Sequence, residues 1–303
     1  MACDISVHGS ARAAGPARAA VDRALAVFTH VDATCTRFDP ASPLMRMNAR
    51  PDRWHRVPPL LFRAVEEAHR AYLRTHGRFD PRVLRDLVDL GYDRSLPFAQ
   101  GGVVTAGSRR RRPATGPWRP RFRGGSRPEL HLGGEPVDLG GIGKGLAVRW
   151  AAECLDGHLD AYLIDAGGDC ACRGAGPDGD GWRIGVEDPL GRSDRPLAVI
   201  EIRDRAVATS STRLRHWRAG DEAAHHLLDP ATGRPGGEGL VAVTVIADDP
   251  AEAEVACKAL FLAGSAGVAD GAQRRNVAAL WVDATGRTVE TRRFTPSVIW
   301  RAA

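Results

Sequence analysis

Val137-Asp138-Leu139-Gly140-Gly141-Ile142-Gly143-Lys144-Gly145 sets four glycines within six residues at the point where a short apolar strand gives way to a helical run. Backbone amides and one lysine ammonium converge there, which suits an anionic phosphate. Neither familiar phosphate fingerprint fits. A Walker loop needs glycine at position 138 and Ser or Thr after the lysine, where Asp138 and Gly145 stand. A dinucleotide fingerprint opening at Gly141 and Gly143 needs its third glycine where Leu146 stands. Taken alone, the stretch is equally a glycine-rich turn with a surface lysine that contributes little packing.

Toward the C-terminus, Val148, Ala151, Ala152 and Leu155 recur at helical spacing, and residues 161–164 form a buried strand closed by Asp165-Ala166-Gly167-Gly168-Asp169. Further strands are expected at Trp182–Val186, Ala198–Ile202, Leu240–Ala247 and 277–282. Asp249-Pro250 opens a helix that should run to about Ala263, with Gly264 as its stop. Toward the N-terminus, residues 4–8 read as a strand, and Val21, Leu25, Phe28 and Val31 as the face of a helix after Pro16. Turn formers fill residues 36–42. A second helix follows Pro58-Pro59, with Leu61, Val65, Ala68 and Tyr72 on one face and Gly77 as its end. Helices and strands are mixed without a regular βαβ repeat, so the class expected is α+β.

A chain of 303 residues can bury a sizeable core, and its apolar and charged fractions are those of a globular protein. No run is long enough to span a bilayer and the N-terminus lacks a basic region followed by an apolar one, so no membrane insertion and a cytoplasmic location are expected. Six scattered cysteines lack zinc spacing and read as reduced thiols, Cys170-Ala171-Cys172 included. The net charge of +5 is concentrated in residues 97–128, which hold eight arginines, among them Arg109 to Arg112. Without apolar periodicity, this segment is expected to be a solvated basic loop or partly disordered insertion. No aromatic stacking series, helix-turn-helix pattern or zinc spacing supports base reading, so nucleic acid is not the expected partner.

Taken together and in order, eight landmarks resemble the FAD:protein FMN transferases of the ApbE family. They are residues 38–42 with Asn48; Gly77-Arg78-Phe79-Asp80-Pro81; the glycine-rich stretch from Asp138; and Asp165 to Asp169. Trp182 through Pro189, Ala208-Thr209-Ser210-Ser211, His226-Leu227-Leu228-Asp229-Pro230-Ala231-Thr232-Gly233, and Ala253 through Gly264 complete them. The resemblance implies one flavin transferase domain over 1–303, made of two intimately packed lobes with an FAD cleft between them. It implies magnesium-assisted splitting of the FAD pyrophosphate, transfer of FMN to a Ser or Thr hydroxyl of a protein acceptor, and release of AMP. Residue by residue, it implies FAD contacts at Phe38, Arg78, Phe79, Asp80, Asp138, Lys144 and Leu227, a backbone metal ligand at Gly141, and a general base at His226, whose imidazole suits proton transfer near neutrality.

Phe38 stands where the family usually has Tyr. More consequentially, the metal-binding helix of the family usually carries Asp and, four residues on, Thr, where this chain has Glu254 and Lys258. An acid and a lysine at that spacing on a helix face each other. The lysine then fills the place of the metal, or Glu254 binds magnesium beside it. Three alternatives to a transferase follow: an FAD-binding or flavin-carrier protein with reduced or no transfer, an FAD pyrophosphatase using water, and a nucleic-acid binder built on the arginine segment.

Overall fold

Leu240–Ala247 reads Leu-Val-Ala-Val-Thr-Val-Ile-Ala, an apolar run broken only by Thr244 and rich in β-branched residues, because both of its faces are covered. It is the fifth of seven strands, ordered Ile5–Ser10, Ala161–Ala166, Asp169–Arg173, Ala206–Ser211, Leu240–Ala247, Ala278–Asp283 and Thr288–Glu290. Every neighbouring pair is antiparallel. The computed structural model describes residues 3–10, 14–107 and 116–302; Arg109 to Arg112, the densest part of the basic segment, lie outside the described residues.

The chain divides into two units. Met1–His30, Lys144–Arg213 and Glu238–Ala303 make the first, and Val31–Gly143 with Leu214–Gly237 the second. In the first unit one face of the seven-stranded sheet meets a three-stranded sheet, ordered Val298–Arg301, Ala198–Ile202 and Trp182–Val186. Trp182, Ile200 and Ile202 share a core there with Val207, Ile246, Leu280 and Phe294. Cys170 and Cys172, two apart and so on one face of their strand, belong to that core, and burial raises both thiols above the ordinary range. The helix Pro250–Phe261 packs against Ala206–Ser211 and Leu240–Ala247. It starts where predicted: Asp249 accepts a hydrogen bond from Glu252 N at 2.9 Å, with Pro250 in the first turn. It ends at Phe261 with Leu262 as its cap, close to the expected end, and Gly264, with φ of +68°, breaks it and turns the chain into a further helix, Gly264–Arg274, that the sequence did not announce. No helix among the described residues is long and apolar enough to cross a membrane.

The helix Ala14–Cys35 also differs in detail from expectation. Ala20, Ala24, Phe28 and Val31, at helical spacing, form its buried row, while Leu25 is 38% exposed.

In the second unit the helix Pro59–Arg74 buries Leu61, Val65 and Ala68 as predicted, adds Ala64 and Ala71 to that face, and leaves Tyr72 half-buried. Two small sheets follow, His55–Arg56, Glu129–His131 and Arg121–Arg123 in one, and Glu222–His225, His216–Ala219 and Val104–Thr105 in the other. The described flanks of the basic segment are therefore built in rather than solvated throughout. Trp118 is 3% exposed and its indole N–H donates to Leu132 O at 2.9 Å. Phe98 lies against Tyr92 and Trp217. A few aromatic anchors outweigh a Gly/Pro/Arg composition, and their partners are too distant in sequence to create a local period.

Candidate functional site

The glycine-rich stretch spans the division between the units: Asp138–Gly143 lies in the second and Lys144 with Gly145 in the first. In the first unit, the helix Gly143–Leu155 is clamped to the helix Pro250–Phe261. A Cβ on Gly145 would fall 2.6 Å from both Ala251 Cα and Pro250 O, so only glycine permits this approach. Closeness lets the Gly145 N–H donate to Glu254 Oε2 at 2.8 Å. The other oxygen, Oε1, accepts from Lys258 Nζ at 3.0 Å; the Glu254 side chain is 2% exposed and that of Lys258 15%.

Lys144 is not a loosely attached surface residue. Its Nζ lies 2.6 Å from Asp169 Oδ2, and Asp169 is 2% exposed. The contact is a pairing of charges rather than a directed hydrogen bond. The acid's Oδ1 accepts a long bond from Thr209 N at 3.4 Å. The expectation that Lys144 contributes little packing is therefore corrected, since its removal would leave a carboxylate buried without its cation. Asp169 ends the turn Asp165–Asp169, but nothing local in the sequence links it to a lysine 25 residues earlier.

The donor set here does not fit a divalent cation. Glu254 is the acid the resemblance offered as a magnesium ligand, and it is neutralised by Lys258 while its second oxygen is held by a backbone amide. A dication beside it would meet a fixed ammonium, and magnesium demands a nearly ideal shell of oxygens. Among the described residues, no group of three or more His, Cys, Asp or Glu could hold a metal.

In the second unit, Asp138 Oδ1 accepts from Gly140 N at 3.0 Å, shaping the turn, and stands 3.7 Å from Arg37 Nε. Arg37, which the sequence did not single out, is 8% exposed; its guanidinium donates to Tyr92 O and sits 4.2 Å from the ring centres of both Phe38 and Tyr92. Phe38 is thus a rigidly backed aromatic face, 41% exposed. Gly141, the proposed backbone ligand, is half-buried in the same turn. Arg78 is exposed, but its neighbours are committed inward: Phe79 is 4% exposed, and Asp80 holds Arg82 through Nε at 3.0 Å and Nη2 at 2.6 Å while also capping Arg82 N.

His226 and Leu227 lie between the strand Glu222–His225 and the hairpin Leu228–Asp229 with Arg234–Pro235. Leu227 is buried and its carbonyl accepts from Gly236 N at 2.9 Å. His226 Nδ1 lies 3.4 Å from Arg215 O. A carbonyl only accepts, so the contact is a hydrogen bond in the tautomer that carries its proton on Nδ1. His225 is a different case. Its Nδ1 accepts from Leu227 N at 3.3 Å, and burial, helped by His216, lowers its pKa to about 4, so it stays neutral.

The fold and these features define an α+β protein with a lysine fixed at a glycine-rich helix start, an exposed aromatic face at Phe38 and a histidine, His226, beside a short hairpin. The ApbE family model matches residues 1–281, and the chain belongs to the ApbE family. It is 28% identical over 156 residues to the FAD:protein FMN transferase of Salmonella typhimurium, which is 51% of this chain and 45% of that one. With the Chlamydia trachomatis protein of the same name it shares 27% identity over 244 residues, 77% of this chain and 72% of that one. The chain thus spans less than half the length of the Salmonella relative. The crystal structure of the ApbE protein from Thermotoga maritima superposes with a TM-score of 0.79 at 25% identity, covering 97% of this chain and 96% of that one. The apo flavinyl transferase of Pseudomonas stutzeri, at 20% identity and a TM-score of 0.75 over 99% and 98% of the two chains, shares the fold.

Proposed function

We propose that this chain is an FAD:protein FMN transferase, acting over 1–303 as one flavin transferase domain. The observation that carries the reading is Lys144, held by buried Asp169 beside the amides that open the helix Gly143–Leu155. A fixed cation next to a helix start neutralises phosphate oxygens without reorganising. Asp138, Arg78, Phe38 and Leu227 are assigned to the rest of FAD, with Phe38 facing an aromatic ring of the ligand. The side chains of Phe79 and Asp80 support this region from inside, so their part is to position Arg78.

In the reaction, the hydroxyl oxygen of a Ser or Thr on the acceptor protein attacks the phosphorus of the FMN half of FAD. Its proton passes to His226 Nε2, the bond from that phosphorus to the bridging oxygen breaks, and AMP leaves with the bridging oxygen. Lys144 and the turn amides stabilise the charge that grows on the phosphoryl oxygens. Magnesium is given no step, because Glu254 is already neutralised by Lys258.

The test is to incubate the purified chain with FAD and candidate acceptors, following AMP release and flavin covalently attached to Ser or Thr by mass spectrometry. His226→Ala should lower turnover by about 100- to 10,000-fold and leave the FAD dissociation constant within about twofold. A second reading, an FAD-binding or flavin-carrier protein, is favoured by the Glu254–Lys258 pair; FAD binding without any transfer would establish it.

A further inference from the structure

Two lysine–carboxylate pairs stand close together in the first unit, Lys144 with Asp169 and Lys258 with Glu254, and both acids are 2% exposed. The Gly145 N–H, one residue from Lys144, is what holds Glu254. Cys257 sits between them electrostatically: burial raises its thiol most, Asp169 raises it further, and Lys258 lowers it. The two cations thus belong to one site at the start of the helix Gly143–Leu155.

A buried carboxylate beside a phosphate-binding turn can serve a hard dication that bridges it to phosphate oxygens. Here the bridging position is taken by a cation that cannot diffuse away. An ammonium has three N–H donors, and the Glu254 bond uses one, so Lys258 can hold the acid and a phosphate oxygen at once. Its side chain is 15% exposed, enough to reach a ligand while Glu254 is not. Lys258 is also one turn along the helix from its acid, so the pair is preset by helix geometry before any ligand arrives.

We propose that Lys258 is the resident cation of this site: the Glu254–Lys258 pair takes the place of a bound divalent metal, and the chain binds a diphosphate ester without one. That the ester is FAD rests on the transferase reading above. The experiment uses the full chain after chelator treatment. Manganese binding is measured without flavin by electron paramagnetic resonance, and FAD binding by flavin fluorescence in EDTA and in excess magnesium.

The unsubstituted chain should show no saturable manganese binding up to about 1 mM, and its FAD dissociation constants in the two buffers should agree within about twofold. Lys258→Thr should acquire saturable manganese binding and an FAD affinity that metal tightens by about tenfold. Saturable manganese binding by the unsubstituted chain, or a roughly tenfold loss of FAD affinity in EDTA, overturns the proposal. So does a folded Lys258→Thr chain that binds no manganese. If Lys258→Thr does not fold, the unsubstituted chain and Lys258→Gln decide between the same outcomes. If FAD binds in neither buffer, the transferase reading falls while the manganese titrations still judge Lys258.

Discussion

Asp80 and Arg82 in the second unit are each 5% exposed, and the guanidinium grips both carboxylate oxygens while donating also to Gly116 O. Glu254 in the first unit is buried still more deeply, at 2% exposed, but its partner Lys258 makes one bond and is 15% exposed. The first of these pairs is closed. Arginine's planar fork spends its donors on its own partner, and what results is a rigid turn. The second is open, because a point charge on a flexible stem can serve a second anion at the same time. Lys144, beside buried Asp169, is grouped with the open pair because it too is a point charge on a flexible stem. Whether a buried charge is architecture or site can thus be read from which side of the pair keeps donors to offer.

The largest effect should come from opening the closed pair. Arg82→Met strands Asp80 in the interior and should lower the unfolding free energy by about 3–5 kcal/mol in urea titrations at neutral pH. A loss well under 1 kcal/mol would break the distinction, since the pair would then be ornamental.

Lys144→Met should act on both stability and ligand. Leaving Asp169 buried should remove about 2–3 kcal/mol of stability, and FAD affinity should drop by at least about tenfold, whereas Lys144→Arg should restore most of the stability. Stability lost with FAD binding intact would move Lys144 from the open class to the closed one.

His225 supplies a pH dependence without an ion pair. Its folded pKa of about 4 lies below the unfolded value of 6.5, so between the two the unfolded chain binds more protons. Its contribution is complete well above the unfolded value and falls away as pH drops through that window, by roughly 3 kcal/mol. His225→Gln should flatten this part of the stability profile measured by chemical denaturation from pH 7 to 4.

The smallest effect is an uncharged control. The Thr209 and Thr244 hydroxyls meet at 2.9 Å across neighbouring strands, and Thr244 is 2% exposed. Thr209→Val should cost about 1 kcal/mol in thermal or urea unfolding, which sets the scale against which the charged pairs are judged.

Long periodic segments were legible from the sequence because burial on one face or both leaves a local pattern. The helix Pro59–Arg74 and the strand Leu240–Ala247 fell where expected for that reason. The strand Ala206–Ser211 hid in small and hydroxyl residues, and the helix Gly264–Arg274 behind three glycines that read as breakers. At the site, Lys144, His226 and the Glu254–Lys258 spacing could be picked out from residue type and order. The partners could not: Asp169 facing Lys144, Arg37 under Phe38, and Gly145 reaching Glu254 109 residues away are products of the fold. Composition misled most in residues 97–128, where Trp118 and Phe98 anchor the flanks.

The strand Ile5–Ser10 pairs with Ala161–Ala166, some 150 residues further along the chain. A ribosome adding about 5–20 residues per second needs roughly 8–30 s to deliver that partner. Throughout this interval the first strand is translated but has no edge to join, while the whole of residues 31–143 emerges between the two. The interrupted layout of the first unit therefore gives its neighbour a head start in synthesis. It also leaves the strand Ile5–Ser10 open to a chaperone or a stray β-edge while it waits for its partner.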